Sequence, residues 1–544
     1  MKADVRIRGG LIVDGTGAPA RKGDIAIKDG RLLLDAEGVE ANETVEAGGM
    51  VVAPGFIDIH THSDLTLLVD SRGASKVSQG VTTEIVGNCG MSVVDTHGKH
   101  KERIRGASAF IYGDLLDWKW NDYAEYLAEY EKRGISINVG ALIGHGTARA
   151  SVIGYDDRPV TERELEAMRR YVADGMEAGA LGLSSGLIYS PGVFAPREEL
   201  VELCKVVASY GGIYSTHMRN ESDGLLDSIE ESIQVARESG VSLQISHLKS
   251  TGKRNWGRVA RAVEMIERAR GEGVNVHYDF YPYHASSTGM TYLLPPWAQE
   301  GGWEASEARI RDPKLRRRMV GEIVNGSDSW ISPSRNAGWD GVMIASVQTE
   351  RNRHAEGMRL NEYARARGMP EPEAMLDLLL EESGGVGMVL FVMSEDDIAA
   401  AASSEWSIVG SDGLALAADG VLSRSKPHPR SYGSFPRVFD RYVRQRPVLT
   451  LERAIHKMTG LPAAKLRLTD RGLLKNGYVA DVVLFDPDRV RDLATFEAPH
   501  QYSEGIHTVW VGGRAAYSRG RFLDPKSGVV VRSAASSRVA KAER

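Results

Sequence analysis

Short apolar runs alternate with amphipathic helices through the middle of the chain, and this alternation restricts the fold more than any other feature. Three of the intervening stretches, PREELVELCKVVASYG, LLDSIEESIQVARESG and WGRVARAVEMIERARGEG, have helical periodicity and close on glycine. The apolar runs that read as strands are GFIDIHTH, VTTEIVGNC, ISINVGALIGH, ALGLSSGLIY, GIYSTHM, SLQISHLK, NVHYDFYPY and WSIVGSDG. Strands that alternate with helices form parallel sheets, and eight such units favour a closed barrel over an open sheet. The sequence therefore predicts an α/β fold, a TIM-like (β/α)8 barrel.

The two ends of the chain have a different sequence pattern, in which glycines and Asp-Gly pairs separate short β segments. We expect residues 1–54 and 468–524 to build one small β-sandwich from both termini, around a barrel formed by residues 55–467; the alternative is two unrelated β decorations. Residues 290–355, rich in Trp and Arg, fall between the seventh and eighth predicted strands and resemble an insertion that covers the site as a lid. Residues 525–544 are expected to form a poorly ordered tail.

Composition and charge exclude several classes of protein. The chain has 544 residues and a formal net charge of −6, so it offers no basic surface for nucleic acid or an anionic membrane. No stretch approaches the roughly 20 apolar residues of a membrane span, and the start of the chain lacks the apolar core of a signal peptide. Two cysteines, Cys89 and Cys204, are too few for a disulfide scaffold. We therefore expect a cytoplasmic protein without nucleic-acid or membrane partners, and no pattern indicates its oligomeric state.

His60-Thr61-His62, at the end of the first predicted strand, is the strongest chemical signal. Residues i and i+2 of a strand point to the same side, so both imidazoles face one point. The end of a barrel strand lies at the mouth where barrel enzymes keep their chemistry. Two neutral imidazoles suit zinc, iron or nickel. An isolated His-x-His is common, so the interpretation depends on its context.

Three more potential ligands stand at the ends of other predicted strands. His217 ends GIYSTH, His247 ends QISH and Asp412 follows SIVGS. Singly, each has a plainer explanation, as a buried histidine bonded to backbone or an aspartate that caps the next helix. Together with the histidine pair, they put ligand groups at four strand ends. This arrangement predicts a metal site at the mouth of the barrel.

Longer motifs occur in a recognisable order along nearly the whole chain, from the first predicted strand to about residue 520. These motifs are GFIDIHTHSD, GVTTEIVGNCG, LGLSSGLIYSPG, YSTHMRNES, ISHLK, DFYPY, GSDG and KPHPRSYGSFPRV. In these motifs the chain resembles the amidohydrolase superfamily and, within it, the N-acyl-D-amino-acid deacylases (D-aminoacylases). The resemblance implies hydrolysis of a linear amide in a small-molecule substrate.

The resemblance also bears on the ligand that bridges two metal ions. Many superfamily members use a carboxylated lysine on the fourth strand, but ALGLSSGLIYSPG contains no lysine. In the deacylases that this chain resembles, a cysteine after the second strand takes that place, and Cys89 in NCG matches it. A thiolate is a good zinc ligand and can bridge two ions; the alternative is a small buried residue in a tight turn. Cys204, on a predicted helix, is expected to pack in the core.

The resemblance implies a tight Zn²⁺ site and a second, weaker site that shares the sulfur of Cys89. The tight site comprises Cys89, His217 and His247, and the second comprises His60, His62 and Asp412. The residues do not tell whether the second site is filled. Asp412 is also implied as the catalytic base, which takes a proton from metal-bound water and passes it to the leaving nitrogen. Zinc lowers the pKa of such water to about 7, so hydroxide is available at neutral pH.

The carboxylate of the product amino acid requires cations and hydrogen-bond donors. The resemblance places substrate binding on Lys249, Tyr281 and Arg430, with Ser287 as a weaker candidate. The alternatives are surface charges for Lys249 and Arg430 and a packed aromatic ring for Tyr281. The choice of Tyr281 over Tyr283 rests on spacing alone.

The predicted function is zinc-dependent hydrolysis of N-acyl-D-amino acids to a D-amino acid and a carboxylate. Alternatives on the same barrel are a cyclic-amide hydrolase resembling dihydropyrimidinase, a D-dipeptidase and a purine or cytosine deaminase. A non-catalytic binding relative is a further alternative, although such relatives lose metal ligands. Selectivity for D over L substrates comes from the resemblance only. The acyl group, the preferred side chain and the roles of His145 and Glu84 do not follow from the sequence.

Overall fold

The computed structural model describes residues 2–96, 98–113, 115–327 and 330–533. Its strands are β1 (Ala3–Ile12), β2 (Arg21–Lys28), β3 (Arg31–Leu34), β4 (Ala41–Glu46), β5 (Val51–Pro54), β6 (Phe56–Asp58), β7 (Val81–Val86), β8 (Asn138–Gly144), β9 (Gly182–Gly186), β10 (Ile213–His217), β11 (Ser242–Ile245), β12 (Val276–Phe280), β13 (Ser286–Gly289), β14 (Val342–Ser346), β15 (Gly387–Leu390), β16 (Ser407–Val409), β17 (Val482–Phe485), β18 (Ile506–Val511), β19 (Arg514–Ser518) and β20 (Arg521–Phe522).

The α-helices lie between the barrel strands and in the segments that follow them. They are α1 (Thr66–Val69), α2 (Ala74–Val77), α3 (Lys101–Ala107), α4 (Ala109–Tyr112), α5 (Tyr123–Arg133), α6 (His145–Ile153), α7 (Glu162–Ala178), α8 (Arg197–Ser209), α9 (Leu225–Ser239), α10 (Arg258–Gly271), α11 (Pro296–Gln299), α12 (Trp303–Arg311), α13 (Pro313–Asn325), α14 (Pro333–Ala337), α15 (Leu360–Ala366), α16 (Glu371–Glu381), α17 (Glu395–Ser403), α18 (Arg430–Arg437), α19 (Leu451–Met458) and α20 (Gly460–Lys465). A π-helix, Val438–Gln445, follows α18.

The eight predicted barrel strands are present, and they form one parallel sheet in the order β6 to β12 followed by β16. The sheet closes where the chain continues beyond β6 and β16: the backbone N–H of Asp412 donates to His60 O at 2.8 Å, and that of His62 donates to Gly413 O at 2.9 Å. Strands β7 and β8 are buried at every position, as parallel strands covered on both faces are. The predicted (β/α)8 barrel is therefore confirmed.

Both ends of the chain contribute to one nine-stranded sheet beside the barrel. Strand β5 from the N-terminal part pairs with β17 from the C-terminal part, in the register Val52 to Leu484. Alternate residues of β1, β2 and β17, among them Ile7, Ile25 and Val482, are fully buried in a separate hydrophobic core. The two ends thus form one continuous sheet rather than two separate decorations.

The start of the predicted tail packs against the barrel instead of extending from it. The backbone N–H of Val139 in β8 donates to Val529 O at 3.0 Å, and Val531 N–H donates to Val139 O at 2.7 Å. A Cβ on Gly528 would lie 2.2 Å from the carbonyl oxygen of Ile137, so only glycine permits this close approach. The run of three valines at 529–531 was the signal for this pairing in the sequence. Residues 534–544 of the expected tail lie outside the described residues.

The segment between β12 and β16 is more extensive than the predicted insertion at 290–355. It carries a three-stranded antiparallel sheet in the order β13, β15, β14, together with helices α11 to α17. The sheet begins at Ser286 and ends at Leu390, because β15 must return to pair with both other strands. Residues of β13, β14 and β15 line the cavity at the barrel mouth. The expected lid therefore includes a sheet that periodicity alone did not reveal.

No helix in the described part of the chain is long and apolar enough to cross a membrane.

Candidate metal centre and active-site cavity

The six predicted metal ligands come together at the C-terminal ends of the barrel strands. Their ligand atoms form two groups that share one sulfur, and within each group these atoms lie within 4.8 Å of one another. All six side chains are buried. The first group is Cys89, His217 and His247, and the second is His60, His62, Cys89 and Asp412.

The distances around Cys89 fit a tetrahedral zinc ion. Its Sγ lies 3.7 Å from His217 Nδ1, 3.5 Å from His247 Nε2 and 3.4 Å from His60 Nε2. Two ligands of one tetrahedral zinc, at normal Zn–S and Zn–N bond lengths, are about 3.6 Å apart. The thiolate and imidazole donors are also those that zinc prefers. The residues present therefore fit zinc.

Three of these ligands have left-handed backbone conformations, which are uncommon for residues other than glycine. The φ angles are 53° at Cys89, 35° at His247 and 52° at Asp412. Each follows a barrel strand within a few residues, so the abrupt turn directs its side chain over the mouth instead of continuing the strand. Such conformations cost about 1–3 kcal/mol each and occur where the surrounding structure imposes them.

Asp412 connects the second group to the cavity. Its Oδ1 lies 3.1 Å from His62 Nε2 and 3.5 Å from His60 Nε2, while Oδ2 lies 2.7 Å from Arg430 Nη1. Burial raises the pKa of Asp412, but Arg430 and the histidines outweigh that effect and hold it well below its usual value. The carboxylate is therefore ionised, as both a metal ligand and a base must be.

The same balance ionises the thiol of Cys89. Burial raises its pKa, but His60 and His247 lower it well below the usual value. The thiolate is the form that binds metals. Cys204 differs: burial raises the pKa of its thiol, and it packs in the core on α8, as predicted.

Glu221 contacts His247, lies near His217, and was missed in the sequence. Its Oε1 lies 3.0 Å from His247 Nδ1, and its Oε2 lies 3.5 Å from His217 Nε2. Lys249 Nζ donates to the same carboxylate at 2.7 Å. Burial raises the pKa of Glu221, but His217 and Lys249 hold it far below its usual value. Its place four residues after His217, in THMRNES, is the one signal that the sequence offered.

Asp279, near the end of β12, performs the same task for His60. Its Oδ1 lies 3.1 Å from His60 Nδ1 and accepts the backbone N–H of His247 at 2.8 Å. Gln244 donates to its other oxygen at 2.9 Å. A carboxylate on one imidazole nitrogen fixes the tautomer and directs the other nitrogen to the metal. Asp279 is the first residue of the DFYPY motif, in which the sequence-based prediction concerned only the tyrosines.

The four residues predicted to bind substrate all line a cavity of about 170 Å³ that also borders the metal ligands. Arg430 begins α18, and its Nη2 donates to Ser287 O at 3.2 Å. Its guanidinium lies 5.0 Å from the centre of the Tyr281 ring. Tyr283 turns away, and its hydroxyl donates to Asp492 at 2.8 Å. The predicted substrate-binding residues that line the cavity are Lys249, Tyr281, Ser287 and Arg430.

Tyr189 is a further cavity residue that the sequence analysis did not single out. Its ring contacts that of His217 with centroids 5.4 Å apart, and its hydroxyl lies 2.8 Å from Thr288 Oγ1. It follows β9 in the motif LGLSSGLIYSPG. Its position near the mouth of the fourth barrel strand was the available signal.

His145 and Glu84 have structural partners. His145 Nε2 lies 2.8 Å from Glu199, which also pairs with Arg149. Glu84 is fully buried beside Lys76, with Oε1 3.1 Å from Nζ, and Lys76 also contacts Asp58 at 2.8 Å. One cation thus serves two buried carboxylates.

Comparisons with known proteins agree with this site. The profile of the amidohydrolase family matches residues 43–517. The D-aminoacylase of Alcaligenes xylosoxydans xylosoxydans is 33% identical over 539 residues, which cover 98% of each chain. The N-acyl-D-glutamate deacylase of the same organism is 36% identical over 520 residues, covering 95% of this chain and 94% of that one.

A solved structure is similar over the same length. It is the crystal structure of N-acyl-D-glutamate deacylase from Bordetella bronchiseptica, complexed with zinc and a phosphonate mimic of the tetrahedral intermediate. The TM-score is 0.82 at 33% sequence identity, and the match covers 98% of this chain and 100% of that one. The chain therefore belongs to the amidohydrolase family and, within it, to the group of the N-acyl-D-amino-acid deacylases.

Proposed function

We propose that this chain is a zinc-dependent deacylase that hydrolyses the amide bond of N-acyl-D-amino acids and releases a D-amino acid and a carboxylate. The observation that carries the proposal is the pair of ligand groups that share the sulfur of Cys89 and open into a cavity lined by Lys249 and Arg430. Relatives named for this activity are 33% to 36% identical over almost the whole chain.

The residues would hold one zinc tightly with Cys89, His217 and His247, and a second at His60, His62 and Asp412. Zinc supplies a Lewis acid that makes water nucleophilic near neutral pH. Glu221 and Asp279 keep the imidazoles aligned for this role.

Asp412 acts as the base in this proposal. Its Oδ1 faces the histidine ligands, and its low pKa keeps it ready to accept a proton from the attacking water. The same carboxylate then delivers that proton to the amide nitrogen as the C–N bond breaks.

Substrate recognition follows from the charges of the cavity. Arg430 keeps further N–H donors for a substrate carboxylate beyond those that face Asp412 and Ser287. Lys249 adds a second positive charge, although Glu221 engages it. Tyr281 packs beneath Arg430 and positions its guanidinium. Recognition of the D configuration is proposed from the relatives.

The test is a substrate panel assayed with zinc-loaded protein. We expect N-acetyl-D-methionine to be hydrolysed, with N-acetyl-L-methionine and a hydantoin hydrolysed far more slowly. Asp412→Asn should abolish turnover while zinc stays bound to Cys89, His217 and His247. Preferred hydrolysis of the hydantoin would overturn the proposal in favour of a cyclic-amide hydrolase.

We also infer a reducing compartment, such as the cytoplasm, for this protein. Both cysteines are free, and the one in the cluster works as a thiolate ligand.

A further inference from the structure

A second cavity of about 110 Å³ adjoins the metal cluster on another side. It shares Cys89, Met91, Phe110 and Tyr189 with the first cavity, so these residues form the boundary between the two. Beyond them it extends between α3, the turn after β9 and the start of the inserted segment. We call it the acyl chamber, and its apolar walls are Ile104, Phe110, Tyr155, Pro191 and Trp303.

The two cavities differ in charge. The first is bordered by the charged side chains of Glu221, Lys249, Asp412 and Arg430. Among the described residues that line the acyl chamber, none carries a formal charge other than Cys89 at the shared boundary. A substrate carboxylate is therefore stabilised in the first cavity and would be desolvated without a partner in the second.

Phe110 forms part of the wall between the two cavities. The ring of Phe110 packs closely against Gly289 in β13, where a Cβ would lie 2.9 Å from Phe110 Cδ1. Tyr189 forms another part of this wall, and its hydroxyl is hydrogen-bonded to Thr288. Among the six ligand residues, Cys89 borders both the charged and the uncharged cavity.

An N-acyl-amino acid likewise has one charged and one uncharged end. Its carboxylate lies on one side of the scissile amide and its acyl group on the other. With the amide at the cluster and the carboxylate at Arg430, the acyl group extends away from Arg430. We propose that the acyl chamber binds the acyl group, and that this enzyme prefers uncharged apolar acyl groups longer than acetyl.

This inference rests on the proposed deacylase activity and deepens it. Burying a methylene in an apolar site strengthens binding roughly threefold to fourfold. We therefore expect kcat/KM to rise by roughly that factor per methylene from acetyl through butanoyl to hexanoyl. An N-succinyl group, which has a carboxylate in place of the apolar end, should be a poor substrate.

The experiment compares these N-acyl groups on the D-amino acid that is hydrolysed fastest as its N-acetyl derivative. Ala107→Phe reduces the space at the rim of the chamber, because Ala107 is the exposed last residue of α3 and lines that rim. Ala366→Phe is the matched control, at the exposed last residue of α15, which lines neither cavity. Hexanoyl has four more methylenes than acetyl, so we expect its ratio of kcat/KM to acetyl to be about a hundred in the wild type and in Ala366→Phe, and to fall towards one in Ala107→Phe.

A wild-type ratio near or below one, or faster hydrolysis of the succinyl substrate, would overturn the inference and leave the deacylase proposal standing. An unchanged ratio in Ala107→Phe would show that the acyl group binds elsewhere. If no N-acyl-D-amino acid is hydrolysed at all, the proposed function itself fails.

Discussion

The guanidinium of Arg430 lies 2.7 Å from Oδ2 of Asp412, so the proposed substrate-binding arginine is paired with the proposed base. Both side chains are more than nine-tenths buried. Arg430 thus has two tasks: it keeps Asp412 ionised, and it presents its remaining donors to the substrate. Changes at Arg430 should therefore affect both catalysis and binding.

Arg430→Ala should lower kcat/KM by about tenfold to a hundredfold, because a hydrogen bond to the charged substrate carboxylate contributes about 1.5–3 kcal/mol. Arg430→Lys should recover only part of this loss, since an ammonium cannot replace the fork of donors. Steady-state kinetics with N-acetyl-D-methionine measure the effect, and circular dichroism checks the fold. Wild-type kcat/KM in the alanine variant would remove Arg430 from the site.

Glu221→Gln should weaken zinc binding by about tenfold to a hundredfold, because the carboxylate that orients His247 is lost. Zinc affinity can be measured by competition with a chelator. Glu231→Gln is the control, since Glu231 pairs with Arg219 and belongs to neither ligand group. Equal zinc affinity in the two variants would contradict the assigned role of Glu221.

The two cysteines provide a second matched pair. Cys89→Ala should lose bound zinc from both groups, because the sulfur is common to them. Cys204→Ala should keep its zinc and lose only some stability, since it removes a buried atom from the core. Elemental analysis of the purified variants decides the matter: a full zinc content in Cys89→Ala would exclude the bridging thiolate.

Glu84 should make stability depend on pH. Burial raises its pKa to about 7 from an ordinary value of 4.5, although Lys76 opposes the rise. The folded state then binds more protons than the unfolded state between these values, so stability falls as the pH rises through that window, by up to about 3 kcal/mol.

Glu84→Gln cannot ionise, so its free energy of unfolding should fall less steeply with pH over the same window. Urea unfolding measures the free energy of unfolding of both proteins across this range. That of the variant should increase relative to that of the wild type as the pH rises. Parallel stability curves for the two proteins would show that Glu84 does not titrate there.

The barrel and the metal ligands could be predicted because their signals are local. Each barrel strand is a short apolar run, and each ligand stands at or just after the end of such a run, as His217 and His247 do. Parallel packing then brings the strand ends together whatever their separation in the chain. The resemblance to deacylases contributed Cys89, which geometry alone would not have identified.

The orienting carboxylates and the inserted sheet could not be predicted in this way. Whether Glu221 touches a histidine or solvent depends on how the loop after β10 packs, and no periodicity encodes that. Strand β13 pairs with β15 across about a hundred residues, so neither segment shows its partner in the sequence. The pairing of Arg430 with Asp412 also arises only in three dimensions.

The sheet shared by both termini has a consequence for how the protein is made. Strand β5 pairs with β17, more than 400 residues later in the chain. On the ribosome, β5 therefore keeps an unpaired edge until more than 400 further residues have been made. Production of this protein should depend on chaperones that protect that edge during translation, and truncation before β17 should yield aggregated material.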